Sequence, residues 1–426
     1  MDTSSLPPAP PPPSSPGISP IQLKDCIEGL LKFTLLSSIK GKLHTGLSTQ
    51  YCADLLKHDP SSDPLPINNE VSKGVPSYPM YKRLASSIYH SILSGALCTT
   101  YKELTPVEEN LSLENKYKEW NKLILDKGPA FLSMLKEVDF EIHVQEPFFS
   151  QINDGLKTIE GRCAVGDYKR KSSKKFYMGI HVPLSYAVQG QGHLLRFLTG
   201  IIHLLGVMIL LPQDVRQYAS FHEMLESESL EKVLPGITSI KEGVKIYRNF
   251  YSEEKEMSNG ILAICVKMVA SQLYDIMASI LSGLSYGGVQ KLLGFVETMG
   301  TNPELLPPAP STLLSTFLAP HNPDVKGSTL SNGARALAKH VNRSSEGYWG
   351  VLHGSDKEKN RHALEVISRL LIECRWMNMH IVPPHGVVFE IRSADGYGAR
   401  WSGDGIKFIG FLEPYMVDGH STGWNH

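Results

Sequence analysis

A short helix, a glycine stop and a charged strand follow one another directly in residues 146–162, and no other stretch constrains the fold of this chain as strongly. Pro147 suits the first turn of a helix, and Gly155 supplies the left-handed residue that ends one. In the strand that follows, side chains alternate between two faces, so Glu160 and Arg162 are expected on the same face. The stretch therefore predicts a helix tip and a strand that meet at a charged cluster.

A lysine and a hydroxyl side chain accompany this carboxylate and arginine. Thr158 is expected on the face of Glu160 and Arg162, while Lys157 lies at the turn, where its side chain is free to reach round. An arginine fork and a lysine point charge are complementary donors to phosphate or carbonyl oxygen, so the cluster suits an anionic or amide-bearing ligand. The alternative is an exposed face that carries an ordinary surface salt bridge, and spacing alone favours that alternative.

Two stretches carry a family resemblance. Residues 155–162 (GLKTIEGR) and the Val165-Gly166-Asp167-Tyr168 run that follows them resemble the signature of the ASCH family (activating signal cointegrator homology), a PUA-like β-barrel linked to RNA. Residues 213–266 are similar to the second half of that family. Together the similar stretches span residues 138–270, and the chain as a whole resembles plant ASCH-domain proteins.

The resemblance implies an RNA-binding protein, active in RNA metabolism or transcription coactivation. Lys157 and Arg162 would contact phosphate or base edges of single-stranded or looped RNA, and Glu160 would orient Arg162 or accept from an exocyclic amine. Thr158 belongs to the same candidate RNA-binding set, and no cofactor is implied. The alternative is an amidohydrolase similar to small bacterial ASCH enzymes, which remove an acetyl group from N4-acetylcytidine with a Lys-Thr-Glu set. Lys157 corresponds to that lysine, but Glu160 occupies the threonine position and Thr158 lies two residues earlier. RNA binding is therefore favoured over catalysis.

The resemblance breaks off between Asp167 and Gln213, where the family has a strand, a turn and a strand. This part of the chain contains a basic cluster at residues 169–175. Its Lys169 and Arg170 are further candidate RNA contacts, although an exposed loop is the simpler interpretation of the cluster. We therefore predict an interrupted barrel with an anomalous insert at residues 171–211. The best explanation of this insert is that it comes from a translated intron or an alternative exon.

An uncharged, largely apolar run, Phe197 to Leu211, ends this insert. A membrane span needs about 20 predominantly apolar residues. The run is shorter and is preceded by Arg196, so a membrane is not an expected partner.

Composition limits the remaining function classes. The formal net charge is −1, so the chain is not one that coats nucleic acid, and any RNA contact must come from a local patch. The six cysteines are scattered without a C-x-x-C pair, which indicates neither a zinc ribbon nor a disulfide scaffold. With no secretory signal visible, we expect an intracellular protein of the nucleus, the cytoplasm or both.

The predicted fold class is α+β: an N-terminal helical region, an interrupted PUA-like ASCH β-barrel and a C-terminal α+β unit. Eight prolines in residues 1–20 predict a disordered tail, which is a spacer or a contact for protein partners. Helices are expected in 21–137, the ASCH domain in 138–270, a Ser/Gly/Pro-rich linker in 271–328 and the C-terminal domain in 329–426.

The C-terminal domain is predicted to hold a helix that begins at a Ser355 and Glu358 capping box, followed by strands at 377–382, 386–392 and 406–412 with a return through Arg400. It also carries a dense polar and aromatic set that suits stacking on unpaired bases. The set comprises Arg335, His340, Arg343, Glu346, Trp349, His353, Arg392, Tyr397, Arg400, Trp401, Glu413, Asp418, His420, Trp424 and His426. No third ligand accompanies Asp418 and His420 at a diagnostic spacing, so no metal site is expected.

Overall fold

The computed structural model describes residues 23–61, 74–97, 111–136, 138–165, 175–182, 203–298, 300–325, 327, 329–341 and 347–414. The chain divides into two compact units. The first lies within Met1–Phe33 and Phe131–Asp275, and the second within Thr34–Ala130 and Ile276–His426. The fold is mixed α and β, with helices at the N-terminal end and two sheets, as the sequence predicts.

The described residues of the predicted N-terminal helical region form four helices. They are α1 (Leu23–Ile39), α2 (Thr49–Leu56), α3 (Tyr81–Ser94) and α4 (Leu111–Lys136). The predicted tail, residues 1–20, lies outside the described residues.

The first unit is built on a five-stranded sheet. Its strands are β1 (Val138–Val144), β2 (Ile159–Cys163), β3 (Lys175–Val182), β4 (His203–Tyr218) and β5 (Ile261–Met268), in the order β1-β3-β4-β5-β2. Only β1 and β3 run parallel. Because β1 and β2 are the two edges, the described strands form an open sheet and not a closed barrel.

In the described part of the first unit, five short helices accompany this sheet. They are α5 (Phe148–Asn153), α6 (Phe221–Ser227), α7 (Leu230–Val233), α8 (Ile240–Arg248) and α9 (Glu253–Asn259). Apolar residues cover both faces: one cluster includes Phe149, Met208 and Ile264, and the other includes Phe221 and Tyr247.

The predicted insert at 171–211 supplies strands to this sheet. Residues 175–182 form β3, and β4 begins at His203 and pairs with both β3 and β5. The prediction that the middle strands are missing here is therefore wrong. A run of apolar residues does not by itself show whether the segment is a buried strand or another apolar structure. Here it is a buried strand, because Met208 and Leu210 of the run lie in the core beside the sheet. No helix in the described part of the chain is long and apolar enough to cross a membrane.

The second unit holds a four-stranded antiparallel meander. Its strands are β6 (Trp376–Val382), β7 (Gly386–Arg392), β8 (Gly398–Ser402) and β9 (Phe408–Leu412), in that spatial order. The Ser355 and Glu358 capping box is present at the start of α13 (Asp356–Glu373), and α12 (Asn332–Val341) precedes it. These elements confirm the predicted C-terminal helix and strands.

The predicted linker at 271–328 contains two helices, α10 (Leu273–Leu293) and α11 (Pro310–Leu318), which corrects its assignment as a connector. Within α10, Met277, Ile280, Leu281 and Leu284 recur at helical spacing and are fully buried. The glycines that suggested a linker allow close packing, because a Cβ on Gly283 would lie 2.7 Å from Leu123 Cδ2.

Candidate functional site

The Lys157, Glu160 and Arg162 side chains meet in the first unit. Lys157 Nζ lies 3.1 Å from Glu160 Oε2, and Arg162 Nε lies 3.0 Å from Glu160 Oε1. Lys157 Nζ also donates to the main-chain carbonyls of Ile159, at 2.8 Å, and Val233. The Glu160 carboxylate therefore joins two cations, one of which is anchored to the backbone.

The predicted helix, glycine and strand position this cluster. Helix α5 ends before Gly155, whose φ is +73°, and the Lys157 N–H then donates to the Gln151 carbonyl at 3.0 Å. By register, Glu160 lies opposite Ile264 and Arg162 opposite Leu262, so both leave β2 on the same face. The turn brings the Lys157 side chain back to that carboxylate.

All three charged side chains are buried, with at most 9% of each side chain exposed. Burial lowers the pKa of Lys157, and the neighbouring Glu160 carboxylate opposes this shift. The alternative of an exposed salt bridge is therefore wrong for this cluster. Spacing could not exclude it, because the burial depends on β5 and on Val233, both distant in the sequence.

Thr158 lies apart from this arrangement. Its side chain is exposed, while its N–H donates to the Lys232 carbonyl at 3.1 Å and its carbonyl accepts from Val266 N–H at 2.9 Å. The two remaining predicted contacts, Lys169 and Arg170, lie outside the described residues.

Tyr247 of α8 closes the opposite face of β2. A Cβ on Gly161 would lie 2.5 Å from Tyr247 Oη, so only glycine leaves room for the phenol. Burial raises the pKa of Tyr247 well above its ordinary value, and the Glu160 carboxylate adds to the shift. No local sequence signal points to Tyr247, because its approach to Gly161 joins two segments that are distant in the sequence.

A second carboxylate centre lies on the meander of the second unit. Glu390 Oε1 accepts from Arg392 Nε at 2.7 Å, and Oε2 accepts from Arg400 Nε and Nη2 at 2.8 and 2.6 Å. His380 Nε2 lies 3.2 Å from the same Oε2. We call Glu390, His380, Arg392 and Arg400 the Glu390 centre.

The two faces of this sheet differ in character. Register places Glu390 opposite both Asn378 and Arg400, on one polar face. The other face carries buried apolar residues, among them Phe389 and Ile391. Polar side chains at alternate positions of β6 and β7 were the sequence signal that would have revealed His380 and Glu390, which our prediction missed.

Burial and charge act against one another at Glu390. Burial raises the pKa of its carboxyl, but the His380 hydrogen bond and the Arg392 and Arg400 charges outweigh it and hold the pKa at about 2. The carboxylate is therefore ionised at neutral pH and only accepts hydrogen bonds. Only 3% of the Glu390 side chain is exposed, against 14% for His380, 21% for Arg392 and 13% for Arg400.

The other members of the predicted polar and aromatic set do not lie together at one site. Glu413 Oε1 lies 2.8 Å from both His340 Nδ1 and Trp349 Nε1. Trp401 is buried and donates to the Leu313 carbonyl at 3.1 Å. Tyr397 stacks on Tyr348, and Arg335 and His353 take no part in the Glu390 centre. Arg343, Glu346, Asp418, His420, Trp424 and His426 lie outside the described residues.

Comparison with protein families gives two matches. Residues 142–270 match the ASCH domain. Residues 320–413, which include the Glu390 centre, match the CdiA C-terminal tRNase toxin domain. No curated protein matches the chain.

Two solved structures are similar to part of the chain. The crystal structure of the hypothetical protein PH0355 shows 32% identity, a TM-score of 0.23 and coverage of 30% of this chain and 97% of that one. The solution structure of protein PF0455 from Pyrococcus furiosus shows 31% identity, a TM-score of 0.22 and coverage of 31% of this chain and 97% of that one.

Proposed function

Because residues 142–270 match the ASCH domain, we propose that the first unit binds single-stranded or looped RNA through the edge of β2. The observation that carries the proposal is the buried junction of Lys157, Glu160 and Arg162 within that domain. Burying ionised groups costs free energy that their attraction often fails to recover, so such a cluster is weak evidence of stabilisation and a candidate functional site.

The residues have different roles in this proposal. Lys157 Nζ contacts two carbonyls and Glu160, so it sets the position of the carboxylate and does not itself bind RNA. Glu160 in turn orients Arg162, whose planar guanidinium suits a base edge or a phosphate. This revises the predicted RNA contact at Lys157 and retains the one at Arg162.

The test is an anisotropy titration of the full chain with a 2′-O-methyl RNA hairpin, which resists cleavage, over a salt series. Replacing Arg162 with Ala is expected to weaken binding by about 1–3 kcal/mol if the fork reads a base edge. Arg162→Lys keeps the charge and loses the fork, so it is expected to show most of the same loss. The near-neutral chain should give a shallow salt slope, on the order of two to four counterions.

Lys241→Ala is the control, because Lys241 is exposed on α8 of the same unit. Circular dichroism melts establish that each variant is folded. If folded Arg162→Lys and Lys241→Ala proteins bind the hairpin as tightly as the parent, Arg162 has no role in RNA recognition. If the parent does not bind, the proposed function fails.

A separate assay tests the alternative function, that of an amidohydrolase. This enzyme needs a nucleophile near Lys157, whereas Thr158 is exposed at the turn. Acetate release from N4-acetylcytidine, absent in a Lys157→Met variant, would favour that enzyme over simple RNA binding.

We propose a second function for the second unit, the cleavage of tRNA. It is supported by the match of residues 320–413 to a tRNase toxin domain and by the polar sheet face within those residues. Incubation of the full chain with transcribed tRNA, followed by denaturing electrophoresis, tests it. Discrete fragments are expected, and intact tRNA after long incubation would refute cleavage.

A further inference from the structure

We propose that the Glu390 centre is the phosphodiester-cleaving site of the second unit, with His380 as the catalytic base, Arg400 as the phosphate-binding residue and Glu390 as the residue that positions both. The assignment rests on the proposed action on tRNA and adds the site and its chemistry. It is carried by the contacts of a single buried carboxylate with one histidine and two arginines.

The contact with Glu390 defines the proton arrangement of His380. An ionised carboxylate only accepts hydrogen bonds, so His380 Nε2 must be the donor in the 3.2 Å contact. In the neutral imidazole the other nitrogen, Nδ1, is then an acceptor. Nδ1 makes no hydrogen bond within the described part of the chain, and the ring is partly exposed. The ring is thus oriented to take up a proton.

One nitrogen of the Arg400 guanidinium group is available to donate to an anion. Arg400 Nε and Nη2 are both engaged by Glu390 Oε2, whereas Nη1 has no hydrogen bond among the described residues. Arg392 is committed to the fold, because its Nη1 donates to the Gly396 and Glu413 carbonyls at 2.8 and 3.0 Å. Arg400 is therefore the arginine placed to bind a phosphate.

The charge of the centre also favours an anionic ligand. One carboxylate and two guanidinium groups leave a net charge of +1 even with His380 neutral. Trp376 lies beside this charge, with its ring centroid 5.8 Å from that of His380. A partly exposed aromatic ring next to a cationic centre suits an RNA nucleotide, whose base stacks while its phosphate pairs.

The proposed reaction needs only RNA and water. His380 Nδ1 takes the proton of a 2′-hydroxyl, the 2′-oxygen forms a bond to the adjacent phosphorus, and the bond between phosphorus and the 5′-oxygen breaks. Arg400 balances the charge that develops on the phosphate oxygens. The leaving 5′-oxygen takes a proton from water, and His380 returns its proton to solvent. The products end in a 2′,3′-cyclic phosphate and a 5′-hydroxyl.

The experiment measures cleavage of labelled tRNA by the full chain and identifies the product ends by mass spectrometry. His380→Ala is expected to lower kcat by about 10²–10⁴-fold, with partial rescue by added imidazole. Arg400→Met should raise KM for tRNA and weaken binding of 2′-O-methyl RNA, whereas His380→Ala should leave that binding unchanged. Glu390→Gln should lower kcat and remove the imidazole rescue when combined with His380→Ala, because the orienting carboxylate is gone.

His385→Asn is the matched control, since His385 is an exposed histidine in the same β6–β7 hairpin. Each variant is first shown to be folded by its thermal melt. Parent-like cleavage by folded His380→Ala, or products without a cyclic phosphate, would overturn the site while leaving tRNA cleavage intact. A parent chain that cleaves no RNA would overturn the activity and the role of His380 together. Equal binding of 2′-O-methyl RNA by parent and Arg400→Met would overturn the phosphate-binding role.

Discussion

The two carboxylate centres share a local pattern and differ in what surrounds it. Each has a Glu-x-Arg sequence on a strand, Glu160 to Arg162 on β2 and Glu390 to Arg392 on β7. In each, the carboxylate joins that arginine to a second cation, Lys157 in the first unit and Arg400 in the second.

The difference lies in the second cation. Lys157 is 1% exposed and donates to two main-chain carbonyls, so it is part of the packed interior. The Arg400 and His380 side chains remain partly exposed, although the Glu390 carboxylate between them is buried. A charged pattern on a strand does not by itself define its role. The exposure of the second cation differs, and with it the role: Lys157 holds its carboxylate in place, whereas Arg400 is proposed to meet a ligand.

The largest effect is expected where both cations are buried. Glu160→Leu leaves Lys157 and Arg162 without their shared counter-charge, and breaking a buried pair in this way costs about 3–5 kcal/mol. The tryptophans among the described residues all lie in the second unit, so their fluorescence would miss this loss. Hydrogen exchange of β2 and β5 amides measures it directly.

Replacing Lys157 with Met in the same chain provides the control. The double variant buries one uncompensated charge fewer, so it should exchange more slowly than Glu160→Leu alone. If the amides of β2 and β5 exchange at the same rate in the parent and in Glu160→Leu, the cluster of Lys157, Glu160 and Arg162 is no more part of the packed interior than the Glu390 centre.

At the Glu390 centre, the expected effect is a loss of stability in acid. The folded pKa of Glu390, about 2, lies below the ordinary value of 4.5, so its contribution is complete above pH 4.5 and is lost as the pH falls towards 2. The shift corresponds to about 3 kcal/mol. Urea unfolding followed by tryptophan fluorescence at several pH values measures the loss in the second unit.

Glu390→Gln has no carboxylate to protonate, so its stability should change less over this range than that of the parent. Glu373→Gln, which alters an exposed carboxylate at the end of α13, should follow the parent curve. Identical curves for parent and Glu390→Gln would contradict the stabilised carboxylate.

Local sequence signals predicted much of this molecule. The α5 helix and its Gly155 stop, the capping box at Ser355 and the four C-terminal strands all depend on residues close together in the chain. The meeting of Lys157 with Glu160 was also predictable, because a turn and one strand suffice to bring them together.

Features that depend on distant partners were not predictable in this way. The burial of Glu160 depends on β5, and the importance of Glu390 depends on the register that places Arg400 opposite it. The strands at 175–182 and 203–211 were misread because their apolar residues fit several structures until the pairing is known. Only tertiary pairing decides these cases.

The middle residue of each Glu-x-Arg pattern offers a smaller test. Gly161 faces Tyr247, and a Cβ there would lie 2.5 Å from Tyr247 Oη and 2.7 Å from Met224 Cε. Ile391 fills the equivalent position on β7 and is fully buried. Gly161→Ala is therefore expected to cost about 1–3 kcal/mol through overpacking. Amide exchange in β2 measures it, and adding Tyr247→Phe, which removes the nearest atom, should recover part of the loss. No loss in Gly161→Ala would show that α8 moves freely from β2.

The smallest effect on stability is expected from His380. His380→Asn removes one hydrogen bond to Glu390 but leaves the carboxylate paired with Arg392 and Arg400, so the cost should be about 0.5–1.5 kcal/mol. Urea unfolding followed by tryptophan fluorescence measures it, with His385→Asn as the exposed control. A small loss of stability together with a large loss of tRNA cleavage would separate His380 from the interior role of Lys157. A loss above about 3 kcal/mol, the size expected for breaking a buried pair, would instead give His380 the same interior role as Lys157.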